Sequence, residues 1–160
     1  MNKFRIVPLS KEYVDKIKIT GIDDFGNVVI EEIASGLGPC RYSLKPFRPG
    51  LDKRLVISHS PFNLQNAYNQ RGPIFISADE VEEYKDVYRF PEEIKKEKDR
   101  FKLTLIGYND IQWMVFAQLV DDNDRIDEMI AEIFNQYHEI EYLHVRSAIA
   151  SCFICKIVRA

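Results

Sequence analysis

Two of the three cysteines and one of the three histidines fall within the last twenty residues, Glu141 to Ala160, E-Y-L-H-V-R-S-A-I-A-S-C-F-I-C-K-I-V-R-A. Cys152-x-x-Cys155 has the spacing of a redox pair or of half a zinc site. Redox chemistry at that spacing uses a helix N-terminus to lower the pKa of the first thiol. The residues around this pair are β-branched and aromatic, which predicts a strand. Positions three apart on a strand point to opposite faces, so the two sulfurs neither share a metal nor form an unstrained disulfide. No second Cys-x-x-Cys and no His-x-x-x-His completes a zinc site elsewhere. No metal and no cofactor is expected, and buried structural cysteines are the simpler assignment.

The same stretch reads as a strand, a short turn and a strand. With Ala148–Ser151 as a four-residue loop, Ser147 opposes Cys152, Arg146 opposes Phe153, Val145 opposes Ile154 and His144 opposes Cys155. Leu143, Val145, Ile154 and Val158 then form a core face. Tyr142, His144, Arg146, Phe153, Cys155, Ile157 and Arg159 form the other. Facing residues on antiparallel strands have Cβ atoms about 5 Å apart, so His144 and Cys155 meet in this register. An adjacent imidazole can activate a thiol as a nucleophile. A loop one residue longer or shorter replaces Cys155 by Ile154 or Lys156 opposite the histidine. The competing role is a cysteine packed beside a histidine that a backbone carbonyl satisfies. Catalytic nucleophiles usually occupy accessible turns, which favours that competitor.

Further candidates lie upstream. Cys40 follows Gly38-Pro39 at an expected loop-to-strand junction and precedes Arg41, whose charge suits a thiolate. Packing at a strand start is its simpler role. His59 closes an expected strand beside Ser60-Pro61 and is a candidate base, against a surface or capping role. Arg41 and Arg146 stand in apolar, strand-like surroundings, and Arg71 precedes the Gly72-Pro73 turn. An inward arginine needs a carboxylate or phosphate partner. His144 and Arg146, two apart on one face, combine with Arg41, Tyr68 and Arg71 into a candidate site for a small anionic molecule. Ion pairing with some of the 25 acids is the alternative. There is no Walker loop, dinucleotide glycine pattern, His-Glu-x-x-His or nucleophile elbow. The run Asp121 to Asp124 lacks the glycine and terminal glutamate of a calcium loop, and helix capping explains it.

These residues need elements to position them. Ser10 caps a helix carrying Tyr13, Val14 and Ile17, and Gly21 ends it. Strands are expected at Phe4–Leu9, Val28–Ile33, Arg54–His59 and Ile74–Ile76. Pro91 starts a short helix in the acidic segment Asp79–Asp99. Phe101–Tyr108 and Trp113–Val120 form a hairpin. Ile126, Met129, Ile130, Ile133, Phe134 and Tyr137 give the longest helix one apolar stripe. The order lacks regular βα alternation. An α+β single domain is therefore expected, with a largely antiparallel sheet, two main helices and a closing C-terminal β-hairpin.

Three stretches resemble the family catalogued as domain of unknown function 1203. They are Cys40-Arg41-x-Ser43-Leu44, then Tyr68 with Gly72-Pro73-Ile74-Phe75, then Tyr142-Leu143-His144-Val145-Arg146 with Cys152-Phe153 and Arg159. The resemblance implies a small, soluble, mainly bacterial protein with no assigned activity. It also implies that Cys40, Arg41, His144, Arg146, Cys152 and Cys155 occupy motif positions. It implies cysteine at the place of Ser43 and histidine at the place of Ser77, so a site built on those two is altered here.

Composition bounds the function class. Apolar residues make up 46% of the chain and spread along its length, which argues for a globular domain and against disorder. A net charge of −3 gives no field to gather nucleic acid or anionic membrane. No apolar run approaches the ~20 residues of a membrane span. Met1–Ile6 lacks the apolar core of a secretory signal, so reduced thiols in the cytoplasm are expected. The leading expectation is a binding protein for a small anionic molecule. The rivals are a Cys/His-dependent hydrolase or transferase, and an interaction module without catalysis.

Overall fold

In the computed structural model, which describes residues 4–160, the chain forms two antiparallel sheets and three α-helices. Met1–Lys3, the start of the stretch read for a secretory signal, lie outside the described residues. The larger sheet has the order β1 (Phe4–Val7), β8 (Phe153–Arg159), β7 (Tyr142–Ser147), β5 (Leu103–Tyr108), β6 (Met114–Leu119). The closing hairpin β7–β8 is thus interior to the sheet, with β1 on one side and β5 on the other. The smaller sheet is β2 (Ile30–Ile33), β3 (Lys53–His59) and β4 (Gly72–Ser77). The expected α+β class with antiparallel strands is what the chain adopts.

One face of the larger sheet packs on α2 (Glu92–Lys96) and α3 (Ile126–Gln136). The stripe Ile126, Met129, Ile130, Ile133 and Phe134 is buried against Leu103, Leu105, Leu143, Val145, Cys155 and Ile157. The Asp122 carboxylate accepts from the Asp124 N–H and caps the 3-10 turn Asn123–Arg125 that leads into α3, as the acidic run predicts. The last turn of α3 has no basic residue of its own. Arg159 serves instead, donating to the carbonyls of Phe134 (2.7 Å), Tyr137 (3.0 Å) and Ile140 (3.2 Å). A structural task thus accounts for that motif arginine.

Gly107 lies on this core-facing side of β5. A Cβ there would sit 2.8 Å from Ile140 Cδ1 and 3.0 Å from Phe116 Cβ. Gly107→Ala is expected to destabilise the fold by roughly 1–3 kcal/mol through overpacking. A lower urea midpoint at an unchanged m-value is the signature to look for.

A second core lies around α1 (Lys11–Thr20), whose Val14 and Ile17 pack on Ile57, Ile74 and Ile76 of the smaller sheet. Ser10 caps α1 and Gly21 ends it in the left-handed conformation. Phe153 of β8 belongs to this second core, so β8 joins the two.

Three expectations need correction. Cys40–Leu44 is a turn, not strand-like. The Leu44 N–H donates to the Cys40 carbonyl at 2.8 Å, and Leu44 has φ +54. Pro39 and Pro46 flank the stretch without N–H donors, which disfavours ladder pairing there. The strand expected from Val28 begins only at Ile30, and Val28 makes an isolated bridge to Ile22. The hairpin register also differs from the one that joins His144 to Cys155. Arg146 does oppose Phe153, but a bulge at Ile154 sets Val145 against Cys155 and His144 against Lys156.

Candidate functional site

On β7, alternation turns Leu143 and Val145 toward α3 and turns Tyr142, His144 and Arg146 to the other face. Neighbouring strands extend that second face. Tyr108 of β5 stands opposite Tyr142, Phe153 of β8 opposite Arg146, and Lys156 opposite His144. The segment after β3 lays Phe62 over them. The His144 ring is boxed by Tyr108 at 4.8 Å, Phe153 at 4.9 Å, Phe62 at 5.0 Å and Tyr142 at 5.1 Å between centroids.

His144 is fully buried, and neither ring nitrogen has a hydrogen-bond partner in the protein. The Tyr142 hydroxyl is likewise unpartnered. Arg146 is 6% exposed and donates through Nη1 to the Ser151 carbonyl at 3.1 Å. Its Nε and Nη2 have no acceptor. The Tyr108 hydroxyl lies close enough to the guanidinium for its charge and hydrogen bonding to favour the phenolate. Among the described residues, no carboxylate forms an ion pair with Arg146 or with Arg41. The ion-pair alternative for these two arginines is not what the structure adopts.

Burial holds the His144 pKa well below the ordinary histidine value, and the charges of Arg146, Lys156 and His59 push the same way. The ring is therefore neutral at pH 7, with one nitrogen to donate and one to accept. Burial also lowers Lys156, whose ammonium lies 4.3 Å from the centre of the Tyr142 ring. Burial raises Tyr108, with Arg146 pulling the other way. Two unpartnered guanidinium nitrogens, a neutral imidazole and two phenols in a desolvated setting are suited to hold an anion. They are poorly suited to general-base chemistry at acidic pH, because the charged imidazole is disfavoured.

The other candidates are dispersed around this face. His59, at the end of β3, has Nδ1 3.0 Å from the Tyr13 hydroxyl, and its ring centre is 5.7 Å from that of Phe153. Burial, partly opposed by Asp24, brings its pKa down to about 4. Arg71 is exposed and stacks on Phe25 at 4.4 Å, and with Arg146, Cys152 and Phe153 it lines a cavity of about 180 Å³. Arg41 is buried, donates to the Phe153 carbonyl at 2.7 Å and to the Pro39 carbonyl at 2.5 Å, and lines a separate cavity of about 250 Å³. Tyr68 is exposed beside Trp113, in a loop tied to Gln112, and is not among the residues lining the cavity of Arg146.

The thiols divide sharply. Cys155 faces α3, across the sheet from His144, and burial pushes its pKa up to about 12. It is neither beside the imidazole nor poised as a thiolate. Cys40 lines a cavity of about 820 Å³ with Ser43 and Ser77, the two positions where the resemblance implies other residues. Acids from Asp79 to Glu83 line that cavity, and no histidine does. Among the described residues, no group of three or more His, Cys, Asp or Glu is placed to hold a metal ion. None of their helices is long and apolar enough to cross a membrane.

Sequence reasoning missed Tyr108 and Phe62, and it placed Lys156 opposite His144 only in the alternative register. The alternation of β5 was the available signal for Tyr108, because it predicts which of its residues face away from the helix. No local signal places Phe62 over His144.

No curated protein and no solved structure matches the chain in comparisons of sequence and fold. A family model described as a protein of unknown function, DUF1203, matches residues 38–159. That span holds every residue of the basic aromatic face described above, and on this match the chain belongs to the DUF1203 family.

Proposed function

We propose that the protein binds a small anionic molecule at the face formed by Arg146, His144, Tyr108 and Tyr142. One observation carries this reading. Arg146 is buried with Nε and Nη2 unpartnered and no carboxylate in range. A buried guanidinium costs several kcal/mol unless its charge and hydrogen bonds are met. Nε and Nη2 form the side-on fork that matches two oxygens of a carboxylate or phosphate. The neutral His144 and the Tyr142 hydroxyl offer further hydrogen bonds from a wall of aromatic rings. The adjoining cavity of about 180 Å³ limits what enters directly to a small group, with Arg71 at its rim.

Calorimetric and thermal-shift titrations with inorganic phosphate, nucleoside monophosphates, sugar phosphates and dicarboxylates test this. At least one class is expected to stabilise the protein, and Arg146→Gln is expected to weaken it about tenfold or more by removing a charge-assisted pair. If none of these anions raises the melting temperature, the reading is wrong.

A further inference from the structure

We propose that Cys152 is a site of thiol–disulfide exchange with anionic small-molecule disulfides, guided by the arginines around it. The inference rests on the anion reading of Arg146 and extends it from binding to covalent chemistry at a neighbouring atom.

Cys152 differs from the other two thiols. Cys40 and Cys155 are buried, whereas Cys152 is half-buried in the turn just before β8. Its Sγ makes one weak contact, to the Ala150 carbonyl at 3.6 Å. It lines both the cavity of about 180 Å³ and the one of about 250 Å³. Arg71 and Arg146 stand in the walls of the first, Arg41 and Arg100 in those of the second. Neither wall contains an acid, although the chain has 25 acids against 22 bases. The thiol therefore sits in a local positive field on a protein of net negative charge.

Arg146 supplies a second, independent pointer to a ligand. It is more than nine-tenths buried, it helps form the first cavity, and two of its nitrogens are unpartnered. Arg41 is fixed by the Phe153 and Pro39 carbonyls, and Cys152 leads the neighbours that favour its charge. Such a setting attracts an anionic disulfide and stabilises the negative charge that spreads over three sulfurs during exchange.

The step is balanced without another reagent. Cys152 loses its proton to solvent, and the thiolate attacks one sulfur of the small disulfide. The reagent S–S bond breaks as the protein–S–S–R bond forms. The second half leaves as a thiolate with the bonding electron pair and takes up a proton. Cys152 is oxidised to the mixed disulfide, and one half of the reagent is reduced to a thiol.

The test uses the folded, full-length protein. Rates are measured with dithiobis-nitrobenzoate and glutathione disulfide, both anionic, and with cystamine, which is cationic. Each rate is divided by that of the same reagent with β-mercaptoethanol, and peptide mapping locates the adduct. The first adduct is expected on Cys152, with normalised anionic rates about tenfold or more above the cationic one. Added salt should shrink that ratio. The double variant Arg71→Gln/Arg100→Gln should shrink it too, and both side chains are exposed, so the fold survives their loss. A ratio near one, first labelling of Cys40 or Cys155, or no labelling without denaturant overturns the proposal. Anion binding measured on Cys152→Ser separates the two readings. If it persists while the ratio is flat, only the thiol inference fails. If no anion binds yet the ratio stays high, the thiol inference stands without the Arg146 reading.

Discussion

Lowering the pH from 7.5 to 5 is expected to cost the protein about 2 kcal/mol of stability from His59, and His144 adds to the loss in the same direction. Both rings are held uncharged by burial, His59 down to about 4 and His144 well below its ordinary value. In the unfolded chain each takes a proton near pH 6.5. Between that value and the folded pKa the unfolded state binds more protons, so stability is complete above about 6.5 and falls with the pH below it. The slope is about 1.4 kcal/mol per pH unit for each ring. Positive neighbours deepen the effect at His144, which faces Arg146, Lys156 and His59. At His59 the Arg41 charge acts in the same direction and Asp24 opposes it. Urea titrations at the two pH values measure the loss. His144→Phe should make it smaller, because phenylalanine fills the aromatic box without a titrating group. Equal stability at both pH values would show that these rings are not buried neutral.

Arg41→Ala is expected to destabilise the protein by roughly 3–6 kcal/mol, since hydrogen bonds to a charged group are worth about 1.5–3 kcal/mol each and two are lost. The guanidinium ties the Pro39 carbonyl to the Phe153 carbonyl, so one side chain holds the Cys40–Leu44 turn against the start of β8. Phe153 belongs to the second core and Ile154 to the first, which places this tie where the two cores meet. Truncation would leave both carbonyls without that donor. Arg41→Lys should recover less than half of the loss, because one ammonium cannot reproduce a planar fork with two directed donors. Arg48→Ala is the control. Arg48 pairs with Asp52 at the surface, and its removal should shift the midpoint little. Denaturant midpoints of the three variants suffice, and a cost for Arg41→Ala no larger than the control would refute the role assigned to it.

Much of the fold was legible because local chemistry specifies it. Ser10 and Gly21 bound α1 through capping and a left-handed termination, which depend on neighbours in sequence. The apolar stripe of α3 and the β5–β6 hairpin follow from periodicity. Alternation also put Tyr142, His144 and Arg146 on one face and predicted that Phe153 stands opposite Arg146, as it does. The Cys40–Leu44 stretch misled because its apolar residues suit a strand, while the flanking prolines deny it partners.

The sequence by itself determined that a hairpin closes the chain and that an arginine and a histidine share one of its faces. Both follow from the two-residue period of a strand. Only the tertiary structure decided what meets them. The turn sets Ser147 against Cys152, while pairing with β1 sets Ile6 against Ile157 and turns Ile157 and Cys155 to the helix side. The extra residue Ile154 is absorbed in a bulge, so Lys156 and not Cys155 faces His144. A slip of one residue exchanges the two faces of a strand, and only distant partners choose between the registers. The same long-range packing brings Phe62 over His144 and leaves both Arg41 and Arg146 without a carboxylate. It is the absence of an internal carboxylate partner among the described residues, invisible in a chain with 25 acids, that makes Arg146 the centre of a candidate anion site.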